Sequence, residues 1–211
     1  TAMQSLVNLK MLRLDNNQLR KVGNLNKCKK LECLDLGFNQ LRAAEQLVQG
    51  LKALPALEQL NLSSNQLTGI PPLRDCRSLD ELRLSNNVIA NGSGLNGLKK
   101  LTILYLGHNQ IRSLDSFAPL SSLAELHMDH NKLTSISSAT KLFPKLDILD
   151  VSFNRIEEAR DVLALSKLKA LKDLTIRGNP CCDDPQSYKR FCQGFPELSH
   201  LDDVPFDVEL G

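Results

Sequence analysis

Side chains suited to metal binding or proton transfer concentrate in the middle of this 211-residue chain. His108 and His130 occupy the same position of two neighbouring sequence repeats, and His127 and Asp129 stand beside the second of them. Two imidazoles and a carboxylate are suitable ligands for a transition metal. However, the repeats place these residues on an open sheet face, whereas metal and catalytic sites are normally enclosed. We therefore expect polar surface residues or partner contacts here, with no bound metal, no cofactor and no enzymatic activity.

Six cysteines offer a second kind of chemistry. Cys28 and Cys76 occupy the same repeat position, three residues before a leucine, where a small buried apolar side chain is required, so we expect core thiols. Three other cysteines cluster near the C-terminus with His200 and leave packing, a disulfide or a zinc site open: Cys181, Cys182 and Cys192. Their spacing matches no usual zinc pattern. Cys181 also replaces the Leu or Ile of the other repeats, which favours packing.

Residues 92–97 match the Gly-x-Gly-x-x-Gly pattern of dinucleotide-binding loops. That pattern binds a pyrophosphate only where a strand turns into a helix within a βαβ unit. Here Gly92, Leu95 and Leu98 fall in phase with the buried positions of a repeat. We therefore expect these glycines to serve the geometry of the repeat and not a nucleotide.

All these residues are positioned by copies of one sequence pattern, Leu-x-x-Leu-x-Leu-x-x-Asn. Leu-x-Leu alternation predicts a short strand with one buried face, and the strands of stacked copies are expected to pair in parallel. The Asn follows the strand, where its amide is predicted to bind backbone groups left unpaired at a buried turn. Of the 24 apolar positions in the eight copies, 21 are Leu. The copies begin at Leu9, Leu31, Leu57, Leu79, Leu101, Leu123, Leu146 and Leu171.

The remainder of each repeat has a hydrophobic period of about three, which is typical of short helical or 3₁₀ turns. The longest repeat adds about one helical turn, so we predict a convex helix over residues 43–54, which are rich in Ala, Leu and Gln. A second convex helix is predicted over residues 157–169. The sequence therefore indicates an α/β solenoid, a horseshoe with a parallel concave β-sheet and short helical or 3₁₀ turns on the convex side.

These repeats resemble leucine-rich repeats of the 22-residue class, which includes a nuclear regulatory subunit of protein phosphatase-1, the spliceosomal A-prime protein and an axonemal dynein light chain. The end of the chain resembles the C-terminal cap motif of these proteins, through Asn179-Pro180, Tyr188 and Pro196-x-Leu198-x-x-Leu201-Asp202. The resemblance implies a partial preceding repeat in residues 1–8, eight repeats in residues 9–180 and a cap in residues 181–211. Because residues 1–8 hold only Leu6 and Val7 of a repeat, we expect further sequence to precede them.

The five non-buried positions of each copy define the concave face and its rim. They carry eleven acidic and five basic residues, a net charge of −6, which leaves +8 for the rest of a chain whose total is +2. An acidic face repels phosphates, so we do not expect nucleic acid there, whereas a basic or mixed apolar-basic protein surface is attracted. Basic residues on the convex side, among them Lys99 and Lys100, leave contact with RNA open on that side.

The fifth to seventh repeats make the least charged and most aromatic part of the concave face. Exposed aromatic side chains on a rigid sheet are typical of binding hot spots. We expect Ile103 and Ile148 in one column, and Tyr105 and His127 in the next, at the centre of the interface. The predicted partner-binding surface comprises Arg83, Ile103, Tyr105, His108, Glu125, His127, His130, Ile148, Asp150 and Phe153.

Together these features predict a non-catalytic scaffold or targeting subunit that binds a partner protein and acts as a monomer. No apolar run approaches the ~20 residues that span a bilayer, so no membrane association is expected. The resemblance implies a cytoplasmic protein of a cytoskeletal, ciliary or phosphatase-regulatory complex, or else a nuclear, RNA-associated protein of the A-prime type. An extracellular recognition receptor is the third alternative, and it would require a signal peptide and oxidised cysteines.

Overall fold

The strands of the repeats form one continuous sheet. The computed structural model describes residues 6–202, except 24, 45, 46, 48 and 49, together with the backbone of 204 and 205. All ten strands pair in chain order; β1 to β9 are parallel, and β10 is antiparallel to β9. The strands are β1 (Met11–Arg13), β2 (Cys33–Asp35), β3 (Gln59–Asn61), β4 (Glu81–Arg83), β5 (Ile103–Tyr105), β6 (Glu125–His127), β7 (Ile148–Asp150), β8 (Asp173–Thr175), β9 (His200–Leu201) and β10 (Val204–Pro205). The predicted parallel-sheet solenoid is confirmed.

Strict register gives each strand from β2 to β8 one buried and two outward positions. The middle residue of each of the first eight strands is a leucine that pairs with a leucine of the next strand, as Leu82 does with Leu104 and Leu104 with Leu126. These three leucines are 0–1% exposed. Because side chains alternate across a strand, the residues on either side of each leucine face away from the core. They form two parallel columns along the concave face.

Leucine ladders fill the space between the sheet and the convex turns. Burying one leucine side chain contributes roughly 1.5–3 kcal/mol, so a column of stacked leucines supplies most of the driving force for stacking repeats. The two cysteines predicted in the core are confirmed there, since Cys28 and Cys76 are 0% and 1% exposed. Burial raises the pKa of the Cys76 thiol to about 12, so this thiol stays protonated and packs as an apolar group.

From the second repeat onward, the asparagine that ends the pattern satisfies backbone groups of two repeats at once. The amide nitrogen of Asn109 donates to the carbonyls of Leu106 and Gly107 in its own turn, at 3.0 and 3.2 Å, and to the carbonyl of Leu84 in the preceding repeat at 3.0 Å. Its side-chain oxygen accepts a hydrogen bond of 3.0 Å from the backbone N–H of Ile89. Asn39, Asn65, Asn87, Asn131 and Asn154 repeat this pattern. The predicted asparagine ladder is therefore confirmed.

The residue before each ladder asparagine has a left-handed backbone. Its φ lies between 51° and 57° in the first seven repeats, and Gly178 has a φ of 70° in the eighth. This conformation is unfavourable for most residues and less so for Gly, Asn and His. The seven non-glycine residues at this rim position are Asn16, Phe38, Ser64, Asn86, His108, His130 and Phe153.

Short helices occupy parts of the convex side. They are α1 (Ala139–Leu142) and α2 (Ala159–Leu163), and a 3₁₀ turn over Ala164–Lys167 continues α2. The helix predicted over residues 157–169 is confirmed by α2 and this turn. The helix predicted over residues 43–54 lies partly outside the described residues, and the positions described within it are helical at Leu47, Gly50 and Leu51. No helix in the described part of the chain is long and apolar enough to cross a membrane.

The C-terminal segment covers the core of the eighth repeat. A 3₁₀ turn over Pro180–Cys182 leads into α3 (Pro185–Gly194), and Phe191 of α3 is fully buried. Asp202 then binds the strand end of that repeat, because its Oδ1 accepts hydrogen bonds from the backbone N–H groups of Ile176 and Arg177 at 2.7 and 2.8 Å. The Tyr188 hydroxyl donates to the other carboxylate oxygen at 2.6 Å. Beyond the last asparagine of the repeats, the side-chain acceptor is therefore the carboxylate of Asp202.

Replacing a central ladder asparagine should destabilise the whole stack. In Asn109→Ala, three carbonyls and one N–H lose a partner inside the protein, so we expect the free energy of unfolding in urea to fall by about 2–4 kcal/mol. The matched control is Asn17→Ala, because Asn17 is exposed and, among the described residues, its amide binds only the carbonyls of its own turn, Leu14 and Asp15. We expect a loss of about 0.5–1 kcal/mol for this variant. Equal losses at the two positions would show that the ladder does not couple the repeats.

Candidate functional site

Three flat side chains of neighbouring strands stack along the middle of the concave face. The register of β4, β5 and β6 sets Arg83, Tyr105 and His127 side by side in one column. The Tyr105 and His127 rings lie 14° from parallel, with their centroids 4.7 Å apart. The guanidinium carbon of Arg83 lies 5.0 Å from the centre of the Tyr105 ring, a distance that permits a cation–π interaction. Nε of Arg83 also pairs with Oε1 of Glu81 at 2.5 Å.

Glu125 fixes the orientation of both rings. One of its oxygens, Oε1, accepts a hydrogen bond of 3.0 Å from the Tyr105 hydroxyl and lies 2.7 Å from Nε2 of His127. Burial raises the pKa of Tyr105 above its usual value, and the hydrogen bond to the Glu125 carboxylate raises it further. Tyr105 is therefore a neutral hydrogen-bond donor at physiological pH. Arg83, Tyr105, Glu125 and His127 are called the aromatic patch below.

Apolar and acidic side chains flank the aromatic patch. The register places the half-buried Ile103 and Ile148 on either side of Glu125 in the adjacent column. Asp150 stands opposite His127 in the next strand. Its Oδ1 accepts hydrogen bonds from the backbone N–H and the hydroxyl of Ser152, at 2.9 and 2.7 Å, so its orientation is fixed by its own turn. The surface thus combines aliphatic, aromatic and carboxylate groups held in fixed positions.

A second stack of rings follows the rim. His108 and His130 lie 14° from parallel with centroids 4.1 Å apart, and Phe153 continues the stack at 4.5 Å and 25° from His130. The Phe153 side chain is 45% exposed, although it is large and apolar. These three side chains belong to the residues at the left-handed rim position of three consecutive repeats. All ten residues of the predicted surface therefore lie on β4–β7 or on the rim beside them.

The aromatic patch borders a hollow of about 390 Å³ on the concave face. The hollow carries carboxylates from two strands, Asp150 and Asp173, and Asp173 pairs with Nδ1 of His200. An open hollow with carboxylates on its walls suits the ammonium or guanidinium end of a long basic side chain. Its lining is His127, Ile148, Asp150, Asp173, Leu174, Thr175 and His200.

The glycines of residues 92–97 have structural reasons to be glycine. They lie in convex turns between β4 and β5, without the strand-to-helix turn of a dinucleotide site. A Cβ on Gly92 would come within 2.3 Å of the Phe117 ring. Gly94 has a φ of 110°, and a Cβ there would lie 2.6 Å from the carbonyl oxygen of Ile70. The expectation that this pattern serves the repeat is confirmed.

The cysteines near the C-terminus are free thiols in the described structure. Cys181 is buried, as predicted from its repeat position, and its Sγ lies 3.8 Å from that of Cys182. The contact with Cys182, followed by burial, raises the pKa of Cys181, whereas the same contact lowers the pKa of Cys182. Cys182 is therefore the more readily ionised thiol of the pair.

The predicted surface omits one residue that the geometry brings into it. Asp129 lies between two of the predicted rim residues, with its Oδ2 3.1 Å from Nδ1 of His130 and 3.6 Å from Nε2 of His108. The signal was available in the sequence, since Asp129 immediately precedes one of these histidines and occupies a concave position of its own.

Removing the charge of Glu125 should lower the pKa of Tyr105. In Glu125→Gln the phenolate no longer meets the Glu125 carboxylate, so we expect the Tyr105 pKa to move down towards 10 and to remain above it because burial persists. NMR titration of the tyrosine ring carbons measures both tyrosines of the chain, and Tyr188 serves as the internal control because it binds Asp202 instead. An unchanged Tyr105 pKa would contradict the hydrogen bond to Glu125.

Known proteins share both the sequence pattern and the fold of this chain. The model of the family of leucine-rich repeats in two copies matches residues 7–53, 55–91 and 77–119, which together make more than half of the chain. The crystal structure of an internalin C2 from Listeria monocytogenes superposes with a TM-score of 0.76 over 95% of this chain and 81% of that one, at 24% sequence identity. No curated protein matches the chain significantly in sequence. The chain therefore belongs to the leucine-rich repeat family.

Proposed function

We propose that this chain is a non-catalytic scaffold or targeting subunit whose concave face binds a basic or mixed apolar-basic segment of a partner protein. Leucine-rich repeat scaffolds serve protein–protein interaction in general and are typically non-catalytic. The observation that carries the proposal is the aromatic patch, in which Glu125 holds Tyr105 and His127 in one stacked arrangement at the middle of the sheet.

Preorganisation makes the aromatic patch a suitable anchor. Ordering a free side chain at an interface costs about 0.5–1.5 kcal/mol, and this cost falls when the side chain is already fixed before binding. The His127 ring stacks on one face of the Tyr105 ring, and the Arg83 guanidinium lies near the other face. Glu125 accepts a hydrogen bond from the Tyr105 hydroxyl. Tyr and Arg are also the residues enriched among binding hot spots.

The charge distribution supports a basic occupant. The concave positions carry a net charge of −6, and Asp150 and Asp173 line the hollow beside His127. Carboxylates arranged in this way steer basic partners towards the face and reject acidic ones. A lysine or arginine of the partner would reach these carboxylates while the apolar part of its chain packs on Ile148.

The location and assembly are part of the same proposal. We place the protein in the cytoplasm, as a monomeric member of a cytoskeletal, ciliary or phosphatase-regulatory complex. The support is the resemblance of its repeats to the 22-residue class, together with thiols that pack in the core as apolar groups, such as Cys28 and Cys76. Such thiols are compatible with a reducing compartment.

Removing aromatic rings from the patch and from the rim stack together should abolish partner binding. We expect affinity capture from a native lysate with the unaltered chain to retain a protein that the Tyr105→Ala, His127→Ala, Phe153→Ala variant does not. For the purified partner, Tyr105→Ala alone should raise the Kd at least about thirtyfold, which corresponds to a hot spot of about 2 kcal/mol. Higher salt should slow association, because the face is charged.

The control variant changes the convex side. Lys99→Ala combined with Lys100→Ala removes two exposed basic residues that precede β5, and it should leave the captured protein and its Kd unchanged. Capture of the same proteins by all three baits would refute concave binding. RNA binding at low salt that is lost in the lysine variant would instead support the RNA-associated alternative.

A further inference from the structure

Three potential metal ligands converge at the rim of the concave face. His108, Asp129 and His130 each offer one ligand atom, and these atoms lie within 4.8 Å of one another. The backbone fixes their relative positions, since the N–H of His108 donates to the carbonyl of Asp129 at 2.9 Å. Within the described residues, no other group of three or more His, Cys, Asp or Glu side chains converges in this way.

Two of the separations between these atoms are close to those around a tetrahedral ion. Zinc bonds of 2.0–2.1 Å place neighbouring ligand atoms about 3.3–3.4 Å apart in a tetrahedral site. Oδ2 of Asp129 lies 3.1 Å from Nδ1 of His130 and 3.6 Å from Nε2 of His108, on either side of that value. The two imidazoles are stacked and must turn towards each other to share an ion. Their side chains are 51% and 44% exposed, so solvent leaves room for this rotation.

A glycine beside the cluster leaves room for the Asp129 carboxylate. A Cβ on Gly107 would lie 2.3 Å from Oδ1 of Asp129, so glycine at this position allows the carboxylate to lie against the backbone between the two histidines. On the other side, the Phe153 ring stacks on His130 and limits how far that imidazole can swing away. The cluster is thus bounded by backbone and by an aromatic ring, and it opens to solvent on one side.

We propose that His108, Asp129 and His130 form a binding site for a divalent transition-metal ion of the zinc type. Two imidazoles and one carboxylate favour Zn²⁺, Ni²⁺ or Cu²⁺ over Mg²⁺ and Ca²⁺, which prefer oxygen ligands alone. Water or a partner side chain would complete the coordination on the open side, as in zinc sites with three protein ligands. The expectation of a metal-free face rested on its openness, but the rim encloses this cluster on two sides.

Zn²⁺ binding to untagged, metal-free protein tests the site. We expect calorimetry to show one Zn²⁺ per chain and Co²⁺ to give the visible absorption bands of a tetrahedral site. His108→Asn, His130→Asn and Asp129→Asn should each weaken Zn²⁺ binding at least about tenfold, the loss known for residues that merely support metal ligands. Asn already occupies this rim position as Asn16 and Asn86, so the histidine variants keep a side chain that suits the left-handed backbone.

The matched control is His200→Asn, since His200 also pairs with a carboxylate, that of Asp173, but lies outside the cluster. This variant should bind Zn²⁺ as the unaltered chain does. Absence of Zn²⁺ binding in the submillimolar range would overturn the proposal and leave Asp129 as a polar neighbour of the two histidines alone. Binding that survives the three cluster variants would equally overturn it, because the ion would then occupy other ligands.

Discussion

The buried asparagine amide at the turn of each repeat is the constraint on which the rest of the solenoid depends. The nitrogen of each buried amide donates to carbonyls of its own repeat and of the preceding repeat. Its oxygen accepts a hydrogen bond from a backbone N–H of the preceding repeat, as Asn109 shows with Leu84 and Ile89. These bonds position one turn relative to the next, so the leucines superimpose and the strands pair in register. The rim conformation follows from the same requirement, because the chain must turn sharply just before the amide.

A face built in this way presents its side chains with little freedom. The core and the ladder fix the backbone, and the two outward residues of each strand are left to determine what the surface recognises. In the middle of the sheet these residues also fix one another, through the carboxylate of Glu125 and the stacked rings of Tyr105 and His127. Recognition by this protein therefore depends on a fixed pattern of groups more than on a mobile loop.

The sequence predicted the parts of this arrangement that depend on period. Leu-x-Leu spacing determined the strands, the buried positions and the columns to which Tyr105 and His127 belong. It did not predict contacts that depend on side-chain rotamers, such as the guanidinium of Arg83 over the Tyr105 ring. The sequence placed Asp129 beside the two histidines, but the predicted partner-binding surface left it out. Its exact position between them depends on a left-handed backbone at the rim and on glycine at position 107.

The in-register sheet also determines where the sequence of such a protein can gain or lose residues. The second and seventh repeats are 26 and 25 residues long instead of 22, yet Leu34 still pairs with Leu60 and Leu149 with Leu174. The strand pairing is therefore unaffected by the additional residues. Insertion of one residue within the Leu-x-x-Leu-x-Leu-x-x-Asn segment would instead turn the strand residues beyond it to the opposite face of the sheet. A change in length between two copies of the segment therefore preserves the sheet register, whereas a change within a copy disturbs it.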